Sequence, residues 1–223
     1  LLMVIGLVEF VFFASNATKI ADGGWFPLLV AIIVFTVLTT WKKATDIIHA
    51  REVQRRVPLA GFLPMLGASI QHVPGTAIFF TSDPDSVPTT LLHNLKHNKV
   101  LHERMVFIHI RTEDVPRVPD DERTDVDVLE PKKLYRVALR YGFREEPEIM
   151  QGLKLLERRG LVFDLQETTF FLGKSTIARA EKKGLFTWRR ELFRRMQKNA
   201  PSAAEYFRLP PDRVIELGTQ ISV

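Results

Sequence analysis

Residues 23–41 read GGWFPLLVAIIVFTVLTTW, nineteen residues without a formal charge. At 1.5 Å per residue, a helix of this length spans about 28 Å, close to the roughly 30 Å hydrocarbon core of a bilayer. Trp25 and Trp41 stand near its two ends, where an amphipathic indole ring prefers the headgroup level. Pro27 falls in the first turn, where its missing N–H costs a helix little. The stretch therefore predicts a transmembrane helix.

Charge is distributed unevenly around this helix. Residues 1–41 carry three formal charges, Glu9, Lys19 and Asp22, and the other 54 of 57 fall in residues 42–223. That second part holds 30 Lys and Arg against 24 Asp and Glu, a net charge of +6. A mildly basic segment suits nucleic acid or the anionic inner leaflet of a membrane, and the preceding apolar helix favours the membrane. The absence of cysteine excludes disulfides, thiolate metal sites and cysteine nucleophiles.

A second apolar run, LLMVIGLVEFVFFA, occupies residues 1–14. At about 21 Å it is too short to cross a bilayer by itself, so we expect a truncated transmembrane helix with further helices upstream. A secretory signal peptide is the alternative, but the run has neither a positive n-region nor a small-residue cleavage site. The turn-rich connector SNATKIADGG, residues 15–24, would join the two helices into a hairpin.

The basic residues indicate how this hairpin is oriented. The connector carries one lysine, whereas five Lys and Arg residues fall within residues 42–56, directly after the second helix. The positive-inside bias therefore predicts a cytoplasmic C-terminal side and an outward-facing connector.

Glu9 lies inside the first apolar run, where an ionisable side chain costs a few kcal/mol unless it meets a partner or water. Two interpretations stay open. Glu9 either takes part in transport, or it hydrogen-bonds a neighbouring helix for structural reasons. Either role needs more helices than one hairpin provides.

Several stretches resemble one family, the KUP (HAK/KT) potassium transporters. They are FFASNATKIADGGWFPL (12–28), VPGTAIFFTSDPDSVPTTLLHNLKHNKVLHERMVFIHI (73–110), RYGFREEPEI (140–149), TTFFLGK (168–174) and LFRRMQKNAPSAAEYFRLPPDRVIELGTQISV (192–223). The blocks follow the family's order over nearly the whole chain. The chain is similar to the family's C-terminal part.

This resemblance implies proton-coupled potassium uptake through a twelve-helix bundle of the inverted-repeat class. In such bundles the substrate site is built from broken helices. The family's site lies in the first part of its chain, so no transport-site position is carried over. The family usually has an acidic residue, normally Asp, near the position of Glu9.

After the membrane segments the chain divides into two further regions. Residues 42–72 predict a basic juxtamembrane helix to about residue 57, followed by a linker broken by Pro and Gly. Residues 73–223 predict a mixed α/β domain of five or six strands and three or four helices. Within it, Ser86 is the expected cap of a helix to Asn98, and Leu134 to Tyr141 has the alternation of a strand with one buried face.

The tail offers weak metal-binding candidates. His93 and His97 are spaced i, i+4 on one helix face and are followed by His102, but the Glu of the catalytic zinc motif is replaced by Asn94. The Asp residues of the loops have no EF-hand register. We therefore expect no metal site and no enzymatic activity.

Anion binding is the remaining candidate chemistry of the tail. The sequence lacks both GxxxxGK[ST] and GxGxxG, but some relatives of the family it resembles are held in check by a cyclic dinucleotide. Arg136, Arg140 and Arg144 are the first candidates for such a ligand, and an exposed strand face is the alternative. The basic run at residues 188–195 has no base-stacking motif, so lipid contact or solvation is favoured over RNA.

The sequence thus predicts the end of a multi-pass potassium transporter in the inner (plasma) membrane, with a structural or regulatory cytoplasmic tail. Its expected partners are potassium, protons, the lipid bilayer and upstream transmembrane helices, with a homodimer and a cyclic dinucleotide as further candidates and no nucleic-acid polymer. No cofactor is expected. A membrane-anchored module that senses an anionic ligand is the alternative function.

Overall fold

The structure, a computed structural model, describes residues 2–65, 70–130, 132–178 and 187–222. Contacts divide the chain into two compact units. One comprises Leu1–Ile47 with Lys183–Lys198, and the other comprises Ile48–Lys182 with Asn199–Val223.

The first unit begins with two apolar helices. Helix α1 covers Leu2–Thr18, a π-helical turn covers Ile20–Gly24, and α2 covers Trp25–Gln54. Gly23 has φ of 123°, a left-handed conformation that lets the chain kink between the helices. Among the described residues, one helix, Ile20–Gln54, is long and apolar enough to cross a membrane by length and composition, and α1 is a shorter apolar helix.

Helix α2 is longer than the sequence predicted. The predicted transmembrane helix 23–41 and the predicted juxtamembrane helix from residue 42 form one helix that ends at Gln54. The reason is local, because no Gly or Pro occurs between Pro27 and Pro58 to interrupt the backbone hydrogen bonds. Thirty residues make this helix about 45 Å long.

Helix α6, Thr187–Asn199, belongs to the first unit except for its last residue. Its Phe193 is 1% exposed, and the Phe193 ring lies 5.2 Å from the Trp41 ring of α2. Trp41, expected at the lipid headgroups, therefore has a protein contact as well.

The second unit contains a six-stranded sheet. Its strands are β1 (Gln71–Thr81), β2 (Val100–Glu113), β3 (Thr124–Glu130), β4 (Leu134–Gly142), β5 (Thr168–Ala178) and β6 (Val214–Ser222). They lie in the order β3-β4-β2-β1-β5-β6, and every neighbouring pair is parallel except β3 with β4. The predicted mixed α/β domain is confirmed, whereas its mainly parallel sheet was not predicted.

Helices cover both faces of this sheet. On one face α5 (Ile149–Glu157) and α7 (Ala203–Tyr206) pack on the strands, with a core that includes Ile78, Val106, Val137 and Leu153. On the other face α3 (Leu59–Phe62) and α4 (Thr89–Asn98) cover a core that includes Phe79, Phe107 and Leu91. Burial on both faces explains why the central strands read as continuous apolar runs.

The chain changes direction within the sheet between β1 and β5. From β1 it runs through α4 to β2 on one side, and β5 leads through α7 to β6 on the other side. Strands β1 and β5 pair over only four residues each, Thr76–Phe79 with Thr168–Phe171. Beyond that point the two strands separate, and this is the topological switch point of a doubly wound sheet.

One local prediction about capping was wrong. The N-cap of α4 is Pro88, which offers no side-chain cap, and not Ser86. The Ser86 hydroxyl instead donates to the Asp83 carbonyl within the preceding turn, because the extended backbone of Pro88 delays the helix by two residues.

Candidate functional site

A cavity of about 460 Å³ opens where β1 and β5 separate. Strand β1 contributes Phe80 and Thr81, and β5 contributes Leu172 and Gly173, in each case directly after the last paired residues. Its other described lining residues come from the end of α2 and the turn after it, from the turn after β1, and from α4, β2, α7 and β6, all within the second unit. Its volume falls in the range of roughly 300–1,000 Å³ that small-molecule sites occupy.

The N-terminal end of α4 forms one wall of this cavity. Thr89, Thr90 and His93 line it. The first N–H groups of any helix lack intrahelical acceptors, and Pro88 supplies no capping side chain here. Thr90 is 4% exposed, and its hydroxyl has no hydrogen-bond partner within the described residues. Such a buried unsatisfied hydroxyl costs about 1–3 kcal/mol.

Two basic residues also line the cavity. Arg55 is exposed and follows α2, whereas Arg56 is half-buried and makes a 3.0 Å ion pair with Asp83. Two backbone hydrogen bonds hold the segment after α2 against the turn after β1. Leu59 N–H donates to the carbonyl of Asp85, and Val87 N–H donates to the carbonyl of Val57.

Another part of the cavity wall is apolar. The rings of Phe80 and Phe207 stack with their centroids 5.5 Å apart and their planes 6° apart. Ile108 and Ile110 from β2 continue this wall. The cavity therefore combines a helix N-terminus and two arginines with an aromatic surface.

The predicted histidines do not converge. The His93 and His97 rings stack at 6.1 Å on one face of α4, as their spacing predicted, but His102 lies on β2 against Phe171. Burial lowers the pKa of His102. In the part of the chain that the structure describes, no group of three or more His, Cys, Asp or Glu side chains could hold a metal ion.

The predicted anion-binding arginines lie elsewhere on the domain. Arg136 on β4 makes 2.8 Å ion pairs with both Asp127 and Asp85. Arg140, on the same face of β4, lies 3.5 Å from Asp125 and 3.9 Å from Glu113. Arg144 is exposed in the turn that follows β4. Carboxylates thus neutralise two of the three candidates, and the anion site there stays a prediction.

A buried ion pair that sequence analysis missed holds the end of β4. Arg123 is 7% exposed, and its Nη2 donates to Glu145 Oε1 at 2.7 Å and to the carbonyl of Val118 at 2.7 Å. The guanidinium also lies 4.9 Å from the Tyr141 ring centroid. No local pattern marks this pair, because 22 residues separate its partners.

Electrostatics at this pair shift two pKa values. Burial alone would raise the pKa of Glu145, but hydrogen bonds from Arg123 and from the N–H groups of Gly142 and Val118 lower it to about 2. For Tyr141, burial raises the pKa to about 12 despite the attraction of Arg123. Both groups therefore keep one charge state across the physiological range.

Glu9 lies in the middle of α1, with an exposed side chain in this chain. Its role in transport or in helix packing stays a prediction.

An apolar helix long enough to cross a membrane, followed by a doubly wound α/β domain, places this chain among the membrane proteins. Comparison with known sequences then identifies its family. The family model for the K+ potassium transporter integral membrane domain matches residues 1–46. The model for the K+ potassium transporter C-terminal domain matches residues 74–223. The chain belongs to this potassium transporter family.

Curated relatives agree with this assignment. The "Probable potassium transport system protein Kup" of Myxococcus xanthus is 49% identical over 99% of the chain, which covers 34% of that protein. The protein of the same name from Acidiphilium cryptum is 47% identical over 98% of the chain and 35% of its own length. The "Probable potassium transport system protein Kup 2" of Chromobacterium violaceum is 43% identical over 99% of the chain and 36% of its length.

The chain thus spans about a third of the length of the relatives it matches. No solved structure matches it significantly. The family is one of transporters and not of enzymes.

Proposed function

We propose that this chain forms the C-terminal part of a protein that takes up potassium across the plasma membrane, most simply by proton-coupled symport. The observation that carries the proposal is the match of two potassium transporter family models, in order, to residues 1–46 and 74–223. The 49% identity to a relative named as a potassium transport system protein supports it.

In this proposal residues 1–41 supply the last two transmembrane helices of a multi-pass inverted-repeat bundle, joined by an external loop at 15–24. The unburied apolar surface of Ile20–Gln54 supports a lipid or helix environment, since none of its most apolar stretch is buried within the chain. The cluster of basic residues after position 41 supports a cytoplasmic tail.

Residues 42–72 would connect the membrane helices to the tail, and residues 73–223 would form the tail itself, with a structural or regulatory role. Arg136, Arg140 and Arg144 stay the candidates for a cyclic dinucleotide, although each of the first two already faces carboxylates. A homodimer stays a further candidate.

A chimaera tests the transport proposal directly. It joins the N-terminal two thirds of the Myxococcus xanthus relative to this chain, and it is expressed in a bacterium that lacks its own potassium uptake systems. We expect growth at low potassium and saturable rubidium uptake. A chimaera that reaches the membrane but does not transport, while the intact relative does, would refute the proposal.

The same chimaera tests Glu9 and proton coupling. If Glu9 carries a proton, Glu9→Gln abolishes the acid stimulation of uptake, whereas Glu9→Asp keeps it because the charge is retained. Asp22→Asn in the connector is the matched control and should leave uptake unchanged. Equal uptake by Glu9→Gln and the unmodified chimaera at acidic and neutral pH would show that Glu9 has only a structural role.

A further inference from the structure

The cavity at the switch point has the position of a ligand site in doubly wound sheets. In such sheets, ligands bind in the crevice outside the carboxyl ends of the strands, where helices leave neighbouring strands toward opposite faces. Here β1 leads to α4 on one face and β5 leads to α7 on the other. Phe80 and Leu172, the first residues after the paired segment, both line the cavity.

Two independent features of α4 indicate an anionic ligand. The helix is ten residues long, and Thr89 and Thr90 of its first turn line the cavity without any capping side chain from Pro88. The N–H groups of Leu91 and Leu92 donate to the Pro88 carbonyl, so those of Thr89 and Thr90, at the positive end of the helix dipole, are the ones left for a ligand. The second feature is Thr90, which lines the cavity and whose buried hydroxyl has no hydrogen-bond partner within the described residues. A ligand oxygen beside Thr90 would satisfy the hydroxyl and the free N–H groups together.

Charge at the cavity supports the same ligand chemistry. Among the described residues, Arg55 and Arg56 line it together with one acidic residue, Glu52, so basic groups outnumber acidic ones there. Arg56 is occupied by Asp83, whereas Arg55 is exposed and makes no ion pair within the described residues. An arginine fork beside a helix N-terminus is suited to phosphate oxygens.

The size and the apolar wall of the cavity limit the rest of the ligand. A bare phosphate would leave most of the 460 Å³ empty. The stacked pair of Phe80 and Phe207, with Ile110 beside it, offers a flat aromatic surface on which a base can pack. Gly173 lies beside Thr90, since an added Cβ at position 173 would be in ordinary van der Waals contact with the Thr90 methyl carbon, 3.5 Å away.

The geometry points to a mononucleotide site in this cavity, with the phosphate at the N-terminus of α4 near Thr90 and Arg55, and the base against Phe80 and Phe207. This site is distinct from the Arg136 and Arg140 face of β4. It does not rest on the proposed transport activity.

Equilibrium dialysis of the full chain in detergent tests the site with AMP, GMP, CMP and UMP, and with adenosine and inorganic phosphate as partial ligands. We expect saturable binding of at least one mononucleotide at one site per chain, and binding at least about tenfold weaker for adenosine and for phosphate alone.

Two substitutions test whether Thr90 and Arg55 contribute to mononucleotide binding. Thr90→Val removes the hydroxyl while keeping the side chain's shape, and Arg55→Gln removes an exposed charge, so each should weaken mononucleotide binding about tenfold or more. The matched controls are Thr112→Val on the exposed part of β2 and Arg136→Gln, and both should bind like the unmodified chain. Thermal unfolding of ligand-free Thr90→Val checks that it folds, and its Tm should not fall, because an unsatisfied buried group is removed.

Three results would overturn the inference. The first is the absence of saturable mononucleotide binding up to millimolar concentration. The second is phosphate binding as tight as that of every mononucleotide, which would exclude a base subsite. The third is binding that Arg136→Gln weakens and that Thr90→Val and Arg55→Gln leave unchanged, which would place the ligand on β4.

Discussion

Replacing Glu145 by glutamine should destabilise the α/β domain strongly, because the substitution leaves the buried Arg123 guanidinium with only the exposed Asp120 carboxylate, 3.3 Å from its Nε, as a counterion. The Glu145 carboxylate accepts hydrogen bonds from Arg123 at 2.7 Å, from Gly142 N–H at 2.6 Å and from Val118 N–H at 3.0 Å. The side chains of Arg123 and Glu145 are 7% and 16% exposed, so water replaces little of what is lost.

Two arguments give the magnitude. Breaking one partner of a buried ion pair typically costs about 3–5 kcal/mol. Independently, lowering the pKa of Glu145 from 4.5 to about 2 corresponds to about 3 kcal/mol of stability at neutral pH, at 1.36 kcal/mol per pKa unit. A loss of about 3 kcal/mol is a large share of the roughly 5–15 kcal/mol that stabilises a typical domain.

The sign of the pH dependence follows from the lowered pKa. The unfolded chain protonates Glu145 first as the pH falls, so its contribution is present above about pH 4.5 and is lost as the pH approaches 2. Glu145→Gln should therefore differ most from the unmodified chain at neutral pH, and the difference should shrink through this acid range.

Hydrogen exchange of the chain in detergent, followed by mass spectrometry on peptides from β4 and α5, is the suitable assay. Tryptophan fluorescence would not report on this domain, because Trp25, Trp41 and Trp188 all lie in the first unit. Glu122→Gln, an exposed position in the same loop as Arg123, is the control and should change stability by less than about 0.5 kcal/mol. A cost below about 1 kcal/mol for Glu145→Gln, or a difference that does not depend on pH, would refute the reasoning.

Two further predictions concern single buried side chains. Phe193→Ala should cost about 3 kcal/mol and lower the Tm followed by tryptophan fluorescence, because Phe193 packs on Trp41, whereas exposed Lys198→Ala should have little effect. For His102, burial lowers the pKa, so the unfolded chain binds the proton first and stability falls as the pH drops through about 6.5. Between pH 7.5 and 5.5, the stability measured by hydrogen exchange should therefore fall less in His102→Gln than in the unmodified chain. Identical pH dependence in the two chains would contradict it.

Much of the architecture could be predicted from local patterns. A charge-free run of nineteen residues can satisfy its backbone groups in lipid only as a helix, so residues 23–41 indicate a membrane helix without any tertiary information. The apolar runs that became β1, β2 and β5 were also recognisable, since a strand buried on both faces must be apolar throughout.

The candidate sites depended much more on the tertiary structure. Arg136 is a plausible anion ligand in the sequence, but pairing with β3 brings Asp127 opposite it, and the turn after β1 adds Asp85. Arg123 and Glu145 meet only because the loop after β2 folds back on the turn after β4. Sequence separation hides such contacts.

The sequence by itself determined that this chain holds an apolar membrane helix, a basic segment after it and an α/β tail, because each follows from composition and from periodicity within a few residues. Strand order was decided only by the tertiary structure. Parallel strands are joined through long connections, so no local sequence pattern shows which strands pair. The separation of β1 from β5 therefore arises only when the sheet is assembled. The cavity beside Thr90 opens at that separation.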